Sequence, residues 1–569
     1  MLRCDSYLYM KILFAASEMT PYAKTGGLGD VVGALPGALR RLGHEVTCCL
    51  PYYRCVRLRL EEMATAGQVR ERSGGPVAAG RPLLRGRTDS GGDAAPTRKE
   101  KPVGPIKIPL GEKVVTGDVL EWKQADGVRM LFVRCDQFYD RPELYQDGDE
   151  DYEDNAERFL FFSKAVAQLA VDPRFRPDVV HCHDWQTALV PAFVKTAAGK
   201  PAAFGNQLEK AATSRSTPKT VFTIHNIAFQ GIFPAKAFAL TNLSKEFFTP
   251  AALEFYGRLN PMKGGILFAD ALTTVSRTYA KEIQTPAGGF GLDGVLQMRA
   301  RELHGILNGV DYAHWNPATN GCLKQRYSPD DLSGKQACKT DLLERMGLEG
   351  EPTPDPSVGG ERKDRGAVGH RALPTADGAR TGETPVPLLG FVSRLTEQKG
   401  VEVLADAIED LVGAGAVLAI LGKGERKYEE MLLAAARRFP GQVAVKIAHD
   451  EELAHRIQAG ADMLLVPSRF EPCGLTQLYA LKYGTIPVVR ATGGLEDTVV
   501  QYDERSRLPQ GTGFKFALYK SEALVEAVRR AILLYNQPEK WQKLMRTAMA
   551  CDFSWQASAK EYEELYAAL

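Results

Sequence analysis

One acidic residue follows a predicted buried strand and precedes a predicted helix in the second half of the chain. The apolar run 461–467 has the length and composition of a strand in a parallel sheet. Glu471-Pro-Cys-Gly474 comes next, and apolar residues then recur at helical spacing. In a parallel α/β sheet this corner lies at the carboxyl edge, where ligands bind. The N–H groups of the helix start would suit a phosphate, so a carboxylate beside them indicates an additional ligand group such as sugar hydroxyls. The alternative is that Glu471 is only a first-turn acid favoured by the helix dipole.

Composition limits the classes of protein that this chain can represent. A length of 569 residues predicts two or three domains. A hydrophobic content of 44% with 25% charged residues is typical of a soluble globular protein. The net charge of +1 makes nucleic acid an unlikely main partner, and the absence of a run of 18 apolar residues predicts no membrane segment. The ten cysteines and nine histidines show no metal-ligand spacing, which predicts reduced thiols, a cytoplasmic location and no metal site.

The N-terminal half begins like a Rossmann fold but lacks the signature of a dinucleotide site. The pattern predicts a strand over 11–16, a long loop over 18–30, a helix over 31–42 and a second strand over 46–50. Its glycines, Gly27, Gly29 and Gly33, are spaced one residue more widely than in the dinucleotide motif G-x-G-x-x-G. No acidic residue ends the second strand, where one would bind a ribose hydroxyl. A dehydrogenase is therefore disfavoured.

Alternation of strands and helices occurs twice, which predicts two Rossmann-like domains in an α/β fold. The motif Thr25-Gly-Gly-Leu in the first half is echoed by Thr492-Gly-Gly-Leu in the second. Two such domains would bring their carboxyl edges face to face across a deep cleft, with a donor nucleotide on one and an acceptor on the other. The predicted boundaries are an extension at 1–9, an acceptor domain at 10–315, a connection at 316–387, a nucleotide-sugar domain at 388–540 and a helical segment at 541–569 that returns to the first domain.

Three stretches have a composition that is typical of surface insertions. Two of them are rich in Gly, Pro and Arg and contain no aromatic residue, so they cannot bury enough apolar surface to fold and are predicted to be disordered. The predicted insertions cover residues 63–104, 199–217 and 351–387.

Six motifs in order closely resemble those of bacterial glycogen synthases and plant starch synthases. The motifs are Lys24-Thr-Gly-Gly-Leu-Gly-Asp30, His181-Cys-His-Asp-Trp185, His225-Asn-Ile-Ala-Phe-Gln-Gly231, Asn308-Gly-Val-Asp311, Ser393-Arg-Leu-Thr-Glu-Gln-Lys-Gly400 and Glu471-Pro-Cys-Gly-Leu-Thr-Gln477. The resemblance implies a two-domain fold of the GT-B type. It also implies transfer of glucose from ADP-glucose, with retention, to the non-reducing 4-OH of an α-1,4-glucan such as glycogen, without a metal or other cofactor. Related transferases often carry a second Glu where this chain has Tyr479.

The resemblance also assigns residues that would bind the diphosphate of the donor. Arg394 and Lys399 resemble the family's diphosphate clamp, and Lys24 resembles its donor-binding lysine. Without a metal, fixed cations and backbone N–H groups would have to stabilise the charge that develops on the leaving group. The further donor-binding positions are Gly26, Gly27, Cys473, Gly474, Leu475 and Thr476, with Cys473 expected to serve packing or backbone position.

Three residues would act near the transferred glucose. Glu471 would bind glucose hydroxyls and help to stabilise positive charge on the ring. His183 would offer a hydrogen-bond acceptor or its backbone carbonyl, and Asp154 matches a family acid near the sugar or the acceptor. Each also has a structural alternative, His183 as a hydrogen-bonded core residue and Asp154 as a helix-start residue. Aromatic residues that could either stack on sugars or belong to the core are Trp185, Phe229 and Tyr256.

Two other functions remain open from the sequence. One is transfer from UDP-glucose, because no residue that selects the base is apparent. The other is a glucan-binding scaffold without catalysis, although such a scaffold would have no use for a diphosphate clamp. No residue resembles a covalent nucleophile, so the leaving phosphate is expected to assist deprotonation of the acceptor on the same face of the sugar.

Overall fold

A nine-stranded sheet organises the first half of the chain in the computed structural model, which describes residues 9–73, 100–148, 150–199, 217–349, 386–505 and 511–569. The chain forms two units, Met1–Gly309 with Ser554–Leu569, and Val310–Phe553. The strands of the first unit are β1 (Lys11–Ala15), β2 (Glu45–Pro51), β3 (Lys101–Leu110), β4 (Lys113–Lys123), β5 (Arg129–Arg134), β6 (Gln146–Asp147), β7 (Glu150–Asp151), β8 (Val179–His183), β9 (Lys219–Ile224), β10 (Phe233–Pro234), β11 (Glu254–Phe255), β12 (Arg258–Leu259), β13 (Ala271–Thr274) and β14 (Leu303–Gly305).

The helices of the first unit cover both faces of a mostly parallel sheet. The sheet order is β14-β13-β9-β8-β1-β2-β5-β4-β3, parallel from β14 to β5 and antiparallel at β4 and β3. Strands such as β1 and β8 are apolar and almost fully buried, as expected for central parallel strands. The helices are α1 (Gly27–Arg41), α2 (Arg54–Ser73), α3 (Asp136–Tyr139), α4 (Asn155–Val171), α5 (Val190–Gly199), α6 (Pro261–Phe268), α7 (Arg277–Glu282) and α8 (Asp293–Met298), with 3-10 turns at Ala235–Thr241 and Lys245–Phe247.

The second unit contains a six-stranded sheet in which every pairing is parallel. Its order is β17-β16-β15-β18-β19-β20. The strands are β15 (Leu388–Val392), β16 (Val417–Gly422), β17 (Val443–Ile447), β18 (Met463–Val466), β19 (Ile486–Arg490) and β20 (Phe514–Phe516). The helices are α9 (Ser333–Met346), α10 (Val401–Gly413), α11 (Arg426–Arg438), α12 (Glu451–Gly460), α13 (Thr476–Lys482), α14 (Gly493–Thr498), α15 (Ser521–Tyr535) and α16 (Pro538–Met549), with a 3-10 turn at Glu397–Lys399, and the last helix, α17 (Trp555–Ala567), belongs to the first unit.

Local signals explain where several helices begin. Asn260 caps α6 by accepting the N–H of Lys263, and a proline occupies the first helical position. Asp450 caps α12 in the same way through the N–H of Leu453. None of the described helices is long and apolar enough to cross a membrane.

The structure corrects the predicted limits of the first insertion and of the first helix. Helix α1 begins at Gly27, four residues before the predicted start at Val31. Helix α2 extends to Ser73 and β3 begins at Lys101, so both ends of the predicted insertion 63–104 are regular structure. Its middle part, like most of 199–217 and 351–387 and most of the extension 1–9, lies outside the described residues.

Residues 316–349, predicted to form a connection, are an integral part of the second unit. The first unit ends at Gly309 and the second begins at Val310. Helix α9 packs in this unit with a mixed face that buries Lys335 and Lys339 beside Cys338 and Leu342. The sequence therefore shows no continuous apolar stripe for this helix. Lys335 donates to the carbonyl oxygens of Ala459 and Ala461. The predicted C-terminal segment 541–569 is divided, because residues up to Phe553 belong to the second unit.

Lys339 holds α9 on the second sheet through a buried ion pair. Its Nζ lies 2.7 Å from Oδ2 of Asp462 and also donates to the hydroxyl of Tyr535 at 2.8 Å. The pair is buried on both sides, since the two side chains are only 3% and 11% exposed. Replacing Lys339 would leave the carboxylate buried without its cation.

Lys339→Ala is therefore expected to lower the free energy of unfolding by about 3–5 kcal/mol. Chemical denaturation followed by circular dichroism measures this change. Lys427→Ala, which removes an exposed lysine of α11, is the matched control and is expected to unfold like the wild type. Equal stability of the two variants would contradict the structural role of the buried pair.

Candidate active site

The loop after β1 brings a lysine and two glycines to the start of α1. Nζ of Lys24 lies 2.7 Å from Oδ1 of Asp30, and both side chains are partly exposed. Gly26 has the N-cap position of this 15-residue helix, and no side chain caps it. A Cβ atom at Gly26 or Gly27 would meet no heavy atom within 4 Å. Because a helix start leaves backbone N–H groups without intrahelical partners, this open space suits an anion.

A buried carboxylate that the sequence analysis did not single out holds this loop in place. Glu18 is 4% exposed. Its Oε2 accepts the N–H groups of Thr25 at 2.6 Å and Gly26 at 3.2 Å. Its Oε1 accepts the hydroxyl groups of Thr25 at 2.6 Å and Tyr145 at 2.8 Å. The available signal was an acid seven residues before the Thr-Gly-Gly motif, but only the folded loop shows what it binds.

His183 ends β8 with its imidazole inside the first unit. The side chain is fully buried, and Nδ1 lies 3.0 Å from Nε2 of His225. The ring of Phe14 stacks on it with a centroid separation of 5.5 Å. Nε2 has no hydrogen-bond partner among the described residues, and the backbone carbonyl accepts the hydroxyl of Thr187 at 2.8 Å. The imidazole thus has one hydrogen-bonded and one unpartnered nitrogen, and the carbonyl oxygen retains a second lone pair. Whether His183 contacts a sugar or is a core residue stays a prediction.

Electrostatics keep these histidines neutral. Burial lowers the pKa of His183 well below its usual value, and neighbouring imidazoles add to this effect. Burial lowers the pKa of His225 to about 3.

Asp184, the residue after His183, connects the two histidine motifs. It has a left-handed backbone with φ 54°, and its Oδ1 accepts the N–H of His225 at 2.8 Å. Burial raises the pKa of this carboxyl to about 7. Asp184 therefore ties the two histidine motifs together, a role that the sequence analysis missed.

Asp154 lies at the start of α4, where it forms an ion pair. Its two oxygens accept from Nη1 and Nη2 of Arg141 at 2.7 and 2.5 Å. Both side chains are partly exposed, and the side chain of Asp154 makes no capping hydrogen bond to the helix. The proposed place near the sugar stays a prediction for this residue.

In the second unit, the predicted acid and one predicted cation are in direct contact. Nζ of Lys399 lies 2.6 Å from Oε2 of Glu471, and the hydroxyl of Ser468 donates to the same oxygen at 2.9 Å. Glu471 is 5% exposed. Arg394, which follows β15, is exposed, and its guanidinium has no hydrogen-bond or ion-pair partner in the described part of the chain. The second unit therefore holds one ion pair, Lys399 with Glu471, and one cation, Arg394, that is available to a ligand.

The position of Glu471 depends on backbone contacts that exclude any side chain. Gly493 has φ 46°, and a Cβ there would lie 1.9 Å from the carbonyl oxygen of Glu471. A Cβ on Gly494 would lie 2.0 Å from the carbonyl oxygen of Cys473, and the N–H of Gly494 donates to the carbonyl of Glu471 at 3.0 Å. A Cβ on Gly400, which precedes α10, would lie 2.1 Å from the carbonyl oxygen of Pro467 in the loop after β18. Only glycine fits at these positions.

The four remaining predicted positions surround the start of α13. Cys473 is buried and Gly474 has a left-handed backbone with φ 74°. Leu475 is the N-cap of α13, which begins at Thr476, and no side chain caps this helix. These four residues thus lie at a strand-to-helix corner, and the contact of their backbone N–H groups with a diphosphate stays a prediction.

One group of side chains in the described ranges has the types of metal ligands, namely His314, Glu451 and His455. The amide nitrogen of Asn320 donates to Nδ1 of His455 at 2.8 Å, and its oxygen accepts the N–H of Cys322, which defines the amide orientation. A neutral His455 therefore carries its proton on Nε2, which lies 3.3 Å from Nε2 of His314. A protonated nitrogen has no lone pair for a cation, so the geometry fits hydrogen bonding better than metal binding.

Comparisons with known proteins show which family this chain is similar to. Residues 11–298 match the family model of the starch synthase catalytic domain, and residues 379–547 match that of glycosyl transferases group 1. A glycogen synthase of Anaeromyxobacter sp. (strain Fw109-5) is 42% identical over 98% of this chain and 99% of its own. A glycogen synthase of Koribacter versatilis is 39% identical over 98% of both chains.

Solved structures show the same two-domain fold. The catalytic domain of starch synthase IV from Arabidopsis thaliana, bound to ADP and acarbose, is 30% identical and covers 99% of both chains with a TM-score of 0.76. A sucrose-phosphate synthase from Thermosynechococcus elongatus, 15% identical with a TM-score of 0.52, shares the fold alone.

Gly493→Ala is expected to destabilise the second unit by at least about 3 kcal/mol, because the methyl group would overlap a carbonyl oxygen at a left-handed backbone. Thermal and chemical unfolding measure this loss. The control is Gly413→Ala at the end of α10, where a Cβ meets nothing within 4 Å, and there a gain of about 0.5–1 kcal/mol is expected. A Gly493→Ala protein as stable as this control would refute the backbone contact.

Proposed function

Because the chain belongs to the family of bacterial glycogen synthases and starch synthases, we propose that it transfers glucose from ADP-glucose to the non-reducing 4-OH of an α-1,4-glucan, with retention of the anomeric configuration. The protein is a glycosyltransferase with a two-domain GT-B fold. The contact between Lys399 and Glu471 carries the finer proposal, together with Arg394, whose guanidinium has no partner among the described residues. Membership of this family also supports a cytoplasmic location and glycogen as the acceptor.

The cations of the second unit supply what a departing diphosphate needs. The guanidinium of Arg394 is a planar fork that can bind two phosphate oxygens, whereas the ammonium of Lys399 is a point charge. Lys399 is already held by the carboxylate of Glu471 at 2.6 Å. When a diphosphate arrives, this ammonium can be shared between the carboxylate and a phosphate oxygen. The ammonium of Lys399 is thus held in place before a donor binds and loses little energy to reorientation during the reaction.

The first unit offers a second anion site of a different kind. The open helix start at Gly27 and the ammonium of Lys24 can both face a phosphate. Lys24 is paired with Asp30, and Glu18 uses the N–H groups of Thr25 and Gly26. The donors left for a ligand are therefore those that follow Gly26 along α1.

The carboxylate of Glu471 would stabilise the sugar ring as positive charge develops on it. Burial strengthens the electrostatic effect of a carboxylate, because little water screens it. The hydroxyl of Ser468 and the ammonium of Lys399 both contact one oxygen, Oε2. Oε1 is therefore the oxygen we assign to glucose hydroxyls. The neutral imidazole of His183 would act only through its position and its backbone carbonyl.

We further propose that transfer needs no metal. The charge of the leaving diphosphate would be met by Arg394, Lys399 and Lys24 together with backbone N–H groups. This is the electrostatic task that a divalent cation performs in metal-dependent transferases.

Glu471→Gln tests the assignment. Turnover, measured as glucose incorporated into glycogen from ADP-glucose, is expected to fall at least about 100-fold because the charge that stabilises the sugar is gone. Binding of ADP, measured by calorimetry, is expected to be unchanged or tighter because Lys399 is then free to bind phosphate.

Glu409→Gln, which neutralises an exposed acid paired with Arg438, is the matched control for this variant. It is expected to behave like the wild type in both measurements. A Glu471→Gln protein that is folded and retains turnover within a factor of about ten would remove Glu471 from the chemistry. A loss of ADP binding instead of turnover would assign the carboxylate to nucleotide recognition.

A further inference from the structure

Three loop tips of the first unit expose aromatic rings to solvent. Tyr256 is 83% exposed, Phe229 55% and Phe290 46%. Large aromatic side chains are usually among the most buried residues. Three exposed rings on neighbouring loops therefore indicate a binding surface.

The backbone at two of these tips is unfavourable for the residue that it carries. Strands β11 and β12 pair through Phe255 and Arg258, so Tyr256 and Gly257 form a two-residue hairpin turn. Both have positive φ, 49° and 76°, which is the type I′ geometry that strongly favours Asn-Gly. Phe290 repeats the pattern with φ 48° before a glycine at 82°. Bulky residues at positive φ are uncommon and cluster at ligand sites.

Hydrogen bonds and close contacts hold the three loops together. The side-chain amide of Gln230 donates to the carbonyl of Phe290 at 3.0 Å and accepts from the amide of Asn260, which is fully buried, at 2.7 Å. A Cβ on Gly291 would lie 3.0 Å from Cζ of Phe255. The tips that carry Phe229, Tyr256 and Phe290 therefore belong to one rigid surface.

This surface continues from the carboxyl edge of the first sheet. The loop that carries Phe229 follows β9 directly and begins with His225, whose Nε2 contacts His183. Phe229 thus stands on the same loop as one of the histidine motifs, and the tips with Tyr256 and Phe290 are linked to this loop through Gln230 and Asn260. A ligand that reaches this edge of the sheet would extend over them.

We propose that Phe229, Tyr256 and Phe290 form an aromatic platform that binds a chain of the α-glucan acceptor. The proposal rests on the function proposed above and names where the polymer is held. Sugar rings have apolar C–H faces that stack on aromatic rings, and Tyr and Phe lose little conformational entropy on binding. An α-glucan is uncharged and needs no ionic partner, so a surface of exposed aromatic rings can bind it.

Tyr256→Asn separates this role from folding, because asparagine is favoured at the turn position and lacks the ring. The melting temperature is expected to stay equal to the wild type or to rise by roughly 1–3 °C. The KM for glycogen is expected to rise roughly three- to tenfold, the size of one lost aromatic contact. The KM for ADP-glucose should not change, and co-sedimentation with glycogen should weaken. Met298→Gln, at another exposed apolar residue of this unit, is the matched control.

The outcomes distinguish this platform from the proposed function. Wild-type transfer with unchanged glycogen KM and co-sedimentation in Tyr256→Asn would overturn the platform and leave the function intact. If the wild type transferred no glucose, co-sedimentation alone would still decide the platform. A variant whose turnover falls while its glycogen KM is unchanged would also overturn it. A change in oligomeric state without a change in glycogen binding would assign the rings to a protein contact instead.

Discussion

The proposed active site of the second unit depends on one charge pair, in which Glu471 is buried, and on the backbone contacts that place it. Lys399 and Glu471 come from loops 72 residues apart and meet at 2.6 Å. They can do so only because the glycine pair at 493–494 lies directly against the carbonyl groups of residues 471 and 473. Any Cβ there would separate the two segments and move the carboxylate. The glycines thus act as part of the site although they present no functional group.

The two Thr-Gly-Gly-Leu motifs serve different purposes despite their similar sequences. In each case the glycines begin a helix, α1 or α14. Beside α1 the glycines face open space, which leaves a helix start for an anion. Beside α14 the same space is filled by the backbone of the loop that contains Glu471. The first motif therefore leaves an open helix start, whereas the second fixes the backbone of an acidic residue.

Most of the strands could be predicted from the sequence, and the helix starts and turns that could not be predicted have physical causes. Apolar runs located the central strands within one or two residues, and six motifs placed the site at strand ends. The start of α1 was wrong because glycines are poor helix formers, and the bonds from Glu18 that fix this start are tertiary. Helix α9 was missed because Lys335 and Lys339 interrupt its buried face between apolar residues such as Leu342. The left-handed turn at Tyr256 could not be predicted either, because tyrosine rarely adopts a positive φ.

The most direct test of the central claim is incorporation of labelled glucose into glycogen from ADP-glucose, with UDP-glucose in parallel and EDTA present throughout. We predict transfer from ADP-glucose that survives chelation and exceeds transfer from UDP-glucose. That result would support the donor, the polymer acceptor and a clamp made only of protein cations. A folded protein that uses UDP-glucose alone, or that transfers glucose only after a metal is restored, would contradict this account.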